Sequence, residues 1–208
     1  MQLLEEQEPK VRIVSHAEER FLRAGFNKVT LDELSSELGI SKKTMYKFFP
    51  SKEDLVRTVI RTLMKRVERN VVTIAESDKP VIQRLAELML LVGKLFGRVS
   101  RAFQLDIQRF TPQLWKEVDK FRNEKILSRI AEMIKEAKRE GKFRSDVNDE
   151  VVVMMFISSV QSIVNPEVLS QHSFSPKDAM YTIFHVIFEG SLTDQARREF
   201  LQYEISIT

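Results

Sequence analysis

The sequence predicts an all-α protein. Apolar residues recur at three- and four-residue spacing along most of the chain, and each such stretch opens or closes on a helix-capping residue. Gly and Pro are scarce, six of each in 208 residues, so long helices can run uninterrupted. We expect a small N-terminal three-helix domain over 9–56, joined by a long helix to a larger helical domain over 57–208.

The first helix is expected from about Pro9, with Val14, Ala17, Phe21 and Ala24 as its inner stripe. Gly25 ends it and Phe26 folds back on it. Thr30 and Glu33 have capping-box spacing, and Leu31, Leu34 and Leu38 give the next helix its apolar stripe. Gly39 can leave that helix at positive φ, Ser41 can cap a third, and Met45 and Phe49 face inward one turn apart. Ser51 and Asp54 restart a helix that runs to about Glu76, apolar at Leu55, Val59, Leu63 and Val67 and basic at Arg57, Arg61, Lys65, Arg66 and Arg69. Helices follow over 81–99, 100–110 and 112–139. Asn148 can cap a helix to about Val164, and Ser175-Pro176 one that reaches Gly190, with a short polar helix after Thr193.

Helix, glycine turn, helix with a basic outer face is the helix-turn-helix pattern, so 9–56 is read as a DNA-binding domain. Lys42, Lys43, Lys47 and Lys52 can displace counterions from a duplex. Thr30, Thr44 and Tyr46 carry hydroxyls suited to phosphate oxygens, and a lysine can also reach guanine acceptors in the major groove. A solvated lysine-rich helix is the ordinary alternative. The run from Ser41 to Lys52 holds no acid in a chain that elsewhere mixes signs, which favours DNA.

The stretch GF-x-x-x-TLDELSSELGISKKTMYKFFPSKEDL resembles the DNA-binding motif of the TetR (tetracycline-repressor-like) family, with the match spanning Val11 to about Leu63. The resemblance implies a long helix bridging the DNA-binding domain to a C-terminal ligand-binding and dimerisation domain, and a homodimer on a palindromic operator in double-stranded DNA. Lys42, Lys43 and Lys47 would then approach bases, while Thr30, Thr44, Tyr46 and Lys52 fix phosphates. Lys43 and Lys47 stand where members vary. Phe48 stands where many relatives carry a phosphate-bonding His or Tyr, and a phenyl ring cannot take that role. Glu5, Glu6 and Glu8 replace the basic arm of many relatives.

Two expectations concern the C-terminal part. The resemblance implies a dimeric bundle built by the last two long helices, which are apolar on more than one face. Phe156, Val160, Phe184, Ile187 and Phe188 are the expected interface, against the alternative of one thick monomeric core. A pocket for a hydrophobic or amphipathic small molecule is expected among Met89, Phe96, Phe103, Asp106, Phe110, Trp115 and Phe121, where Asp106 would meet a cationic ligand or face water.

Other classes find no residues. Cys is absent, which excludes disulfides and cysteine nucleophiles. No phosphate loop, nucleophile elbow or paired acids are present, so neither an enzyme nor a cofactor is expected. His185 and Glu189 have the spacing of two metal ligands but lack a third, and a satisfied histidine is expected there. The acidic N-terminus has no apolar core for a secretory signal, and Lys94 and Arg98 break the most apolar stretch, so a cytoplasmic, nucleoid-associated protein is expected without a membrane span. The expected function is a homodimeric transcriptional repressor released by a small-molecule effector. The alternatives are a nucleoid-associated or cell-division factor of the same fold without an effector, and a carrier that has lost DNA binding.

Overall fold

Helix α1 (Gln2–Ala24) buries Ile13, Val14, Ala17, Phe21 and Leu22 along one face. The computed structural model describes residues 2–207, and side chains over 8–203 other than those of Phe96 and Pro166. The helix continues through Pro9, and Ala24 is exposed rather than part of the inner stripe. Gly25 ends it at φ +78°, its N–H donating to the Phe21 carbonyl at 2.8 Å. The Phe26 ring then meets Phe21 edge-on at 5.9 Å.

Thr30 caps α2 (Leu31–Glu37) through a full capping box with Glu33. Gly39, at φ +65°, lets the chain turn so that the Ile40 N–H reaches the Ser35 carbonyl at 3.0 Å. Ser41 caps α3 (Lys42–Phe48), which holds itself to the domain by Met45 and, just after its end, Phe49, both fully buried. The Ser51 hydroxyl accepts from the Asp54 N–H at 3.1 Å at the start of α4 (Lys52–Ala75).

The remaining helices are α5 (Val81–Arg98), α6 (Arg101–Phe110), α7 (Pro112–Phe121), α8 (Ser128–Arg139), α9 (Asp149–Ile163), α10 (Pro166–Gln171), α11 (Pro176–Phe184) and α12 (Asp194–Ile207). Wider π-helical turns follow α7 at Arg122–Leu127 and α11 at His185–Glu189. Helix α10 was not expected, although Asn165-Pro166 carries the cap and first-position proline that start it. No strand occurs among the described residues; Phe143 and Leu192 form one isolated bridge.

The chain divides into two compact units, one from the N-terminus through Arg66 with Val99–Lys116, the other Val67–Arg98 with the chain from Glu117 onward. This differs from a simple cut after residue 56, because α6 returns to pack on α1. The Ser100 N–H donates to the Leu22 carbonyl at 2.8 Å, and Phe103 stands edge-on to Phe26 at 6.2 Å. Arg66 closes the same unit by reaching the buried Glu18 at 2.6 Å.

In the second unit α5 packs on α8, α11 and α12 around Leu85, Leu88, Ile134 and a ring cluster of Phe156, Phe184, Phe188 and Phe200. Phe184 and Phe188 stack at 4.3 Å, and Phe156 meets Phe188 edge-on at 5.0 Å. The nearly buried Arg84 donates to the carbonyls of Ala75 and Lys79 and pairs with Glu136, tying the end of α4 to α5 and α8.

Candidate nucleic-acid interface

Helix α3 turns its buried residues inward and leaves a polar face outward. Lys42, Lys43, Tyr46 and Lys47 are exposed, Tyr46 at 47%. Lys42 donates to the Asp32 carboxylate on α2 at 2.6 Å, and this hydrogen bond and the charge behind it raise the lysine's pKa, so its cation is secure. Lys47 stands 5.6 Å over the Phe48 ring. The Thr44 and Ser41 hydroxyls share a hydrogen bond of 2.8 Å, and the Thr30 hydroxyl accepts from the Glu33 N–H at 3.1 Å. Each can present only part of its hydrogen-bonding capacity outward.

Lys52 has a structural occupation. Its ammonium donates to the carbonyls of Asn27 at 2.7 Å and Phe26 at 3.3 Å, leaving one of three protons for another partner. The same turn is held from the opposite polarity by Asp106, whose Oδ2 accepts from the N–H groups of Phe26 at 2.7 Å and Asn27 at 2.8 Å. Asp106, foreseen as a ligand partner or a solvent-facing acid, therefore serves the turn that sets α2 and α3. Helices α1 and α2 are tied by Glu37, which accepts from His16 at 2.6 Å and pairs with Arg20 at 3.2 Å. The His16 hydrogen bond is the main reason that the Glu37 carboxyl sits below the ordinary glutamate range, with Arg20 adding to it.

The family model for bacterial regulatory proteins of the tetR family matches residues 13–59, the stretch that carries this face. The chain belongs to the tetR family. It is a DNA-binding transcriptional regulator of that family. It is 24% identical over 187 residues to YvaF of Bacillus subtilis (strain 168), an HTH-type transcriptional regulator, covering 88% of this chain and 96% of that protein. It is 23% identical over 162 residues to the nucleoid occlusion factor SlmA of Vibrio atlanticus (strain LGP32), covering 74% of this chain and 80% of that one. The solved structure of CprB, a TetR family protein from S. coelicolor A3(2), shares the fold at TM-score 0.69, with 15% identity and 98% of both chains covered.

The second unit of this tetR-family chain holds a cavity of about 590 Å³ between α5, α8, α9 and α11, with Met89, Val92, Ile130, Phe156 and Met180 among its walls. Of the residues foreseen for a pocket, Met89 lines it. Phe103 is instead buried against Phe26, Phe110 is 54% exposed, and Trp115 and Phe121 are half-buried. The Phe96 side chain lies outside the described residues. Gly93 and Gly97, one turn apart in α5, both line the cavity, and Gly93 is the signal in the sequence, since a glycine inside a helix weakens it by about 1 kcal/mol relative to alanine.

The structure turns the foreseen dimer residues inward. Phe156, Val160, Phe184, Ile187 and Phe188 are all buried within the single chain, where they form its own core. The apolar residues left outward on the same helices are Val151, Met154 and Met155 of α9, Tyr181 of α11 and Val186 of the following turn, each at least half exposed. Hydrophobic periodicity cannot distinguish these two faces when both are apolar. On the same turn the His185 Nδ1 lies 2.9 Å from Glu189, so the pair of i, i+4 residues satisfies itself. No helix among the described residues is long and apolar enough to cross a membrane.

Proposed function

We propose that the chain works as a homodimeric repressor that sets α3 of each protomer into successive major grooves of a palindromic operator and leaves it when a hydrophobic or amphipathic effector binds. The observation that carries the DNA half is α3 itself: Lys43, Tyr46 and Lys47 exposed on one short helix whose register is set by Met45, Phe49 and the Lys42–Asp32 pair. Lys43 and Lys47 approach base edges, while Tyr46, Thr44, Thr30 and the remaining proton of Lys52 engage phosphates.

The exposed stripe Val151, Met154 and Met155, with Tyr181 and Val186, supports self-association, and two half-sites a helical turn apart require it. The cavity supports the effector. Helix α4 is continuous from the first unit into the second, a covalent route for coupling worth about 1–3 kcal/mol.

Footprinting on the chain's own upstream DNA tests this reading. A short two-fold-symmetric protected site is expected, weakened by Tyr46→Ala, with Lys43→Ala costing about 1–3 kcal/mol if it reads a base. Diffuse protection at all sequences would favour a second reading. That reading is a nucleoid-associated factor bound at many sites without a small-molecule effector, and the likeness to a protein named as a nucleoid occlusion factor, SlmA, supports its nucleoid association. Its affinity would follow salt almost entirely, with little difference between operator and random duplex.

A further inference from the structure

We infer that the cavity of the second unit takes an anionic amphiphile, an acyl or aryl chain ending in a carboxylate or a phosphate ester; this rests on the effector-binding reading above. At about 590 Å³ the cavity falls within the roughly 300–1,000 Å³ span of small-molecule sites. Its walls are hydrocarbon and ring: Leu88, Met89, Val92, Ile130, Phe156 and Phe184. The charged residues that line it are Lys94 of α5 and Lys177 of α11, and no Asp or Glu joins them among the described residues.

Neither lysine has an ion-pair or hydrogen-bond partner among the described residues, whereas other lysines of this unit, Lys79, Lys138 and Lys142, are paired with carboxylates. The Asp178 carboxylate next to Lys177 takes its hydrogen bonds from the Ser175 hydroxyl at 2.7 Å and N–H at 2.9 Å, and it meets Lys177 by charge alone, as a smaller influence on its lowered pKa. The stem of Lys177 passes over Gly97, its Cδ at 3.7 Å from where a Cβ would stand, so the lysine lies against α5. Two cations without an ion pair beside an apolar cavity give an anion a charge-assisted partner, give a neutral chain only the walls, and repel a cation. The lysines place the anionic end beside Gly97 and the hydrocarbon against Met89, Ile130 and Phe156.

The test is calorimetric binding to the full-length protein without DNA, below the micelle threshold of each probe. Dodecanoate, dodecyl phosphate, dodecanol and dodecyltrimethylammonium share one tail and differ in the head. At least one anion should bind about tenfold or more tighter than dodecanol, with the ammonium weakest. The preference between carboxylate and phosphate identifies the head group. Lys94→Gln with Lys177→Gln should erase the anion's advantage and leave dodecanol unchanged. Gly93→Phe, entering space with no atom within 4 Å of the added Cβ, should abolish binding of every probe.

Equal binding of dodecanol, or tighter binding of the ammonium, would overturn the anionic class and leave the effector reading standing. An anion advantage that survives the lysine changes, or binding that survives Gly93→Phe, would place the ligand elsewhere. Binding of none of the four overturns the inference, while operator release by other compounds judges the effector reading separately.

Discussion

Asp106 stands on a helix rich in apolar residues, yet its carboxylate ends on the backbone of a turn 80 residues earlier in the chain. Two N–H groups share one oxygen there, and Lys52 satisfies two carbonyls of the same turn, so the segment is held by opposite charges on its donors and acceptors. Asp106→Ala removes both acceptor contacts and is expected to destabilise the N-terminal unit by about 1–3 kcal/mol in chemical denaturation, with Asp106→Asn intermediate because its amide oxygen still accepts. An unchanged midpoint for Asp106→Ala would remove this role. Gly25 belongs to the same arrangement. At φ +78°, with a Cβ meeting Asp106 Oδ2 at 2.5 Å, Gly25→Ala strains the backbone and displaces the carboxylate together. Its expected loss of more than about 1 kcal/mol is read in the same experiment.

At the scale of elements, α1 and α2 are joined by the Glu37 carboxylate between His16 and Arg20. The folded-state pKa of Glu37 is lowered, so its contribution is complete above the ordinary glutamate range and is lost as pH falls through the lowered value. Thermal unfolding should therefore show an acid-side decline that Glu37→Gln flattens. The effect is about 0.2–1 kcal/mol because the pair is partly exposed, and an identical pH profile in the variant would rule it out. Helices α9 and α11 allow a sharper separation of roles. Met154→Glu, at a position 67% exposed, should shift the proposed dimer toward monomer in light scattering while keeping the fold. Phe156→Ala should instead lower stability by about 3–5 kcal/mol at any concentration, because Phe156 is packed inside the protomer against Phe184 and Phe188. Dissociation by neither Met154→Glu nor Val186→Glu would take the self-association surface off these helices.

Across the whole molecule, local signals and long-range contacts divide what could be read from the chain. Capping at Thr30, Ser41, Asn148 and Ser175, the positive-φ glycines at Gly25 and Gly39, and the inward pair Met45 and Phe49 act within a few residues. They sufficed to place the helix-turn-helix, the outward lysines of α3 and the all-α class, and the quoted motif was enough to reach the tetR family. Long-range geometry settled the rest. The partner of Asp106 lies on α1's terminal turn, which no periodicity can reveal, and the return of α6 to α1 places unit boundaries inside α4 and α7 as well as at the junction of α5 and α6. The same limit applies to the apolar C-terminal helices. Their composition required burial, but which face meets the chain's own core, which borders a cavity with Lys94 and Lys177, and which stays outward depends on how α5, α8, α9 and α11 pack. A hydrophobic pattern specifies that a residue leaves water; only tertiary packing decides what it meets.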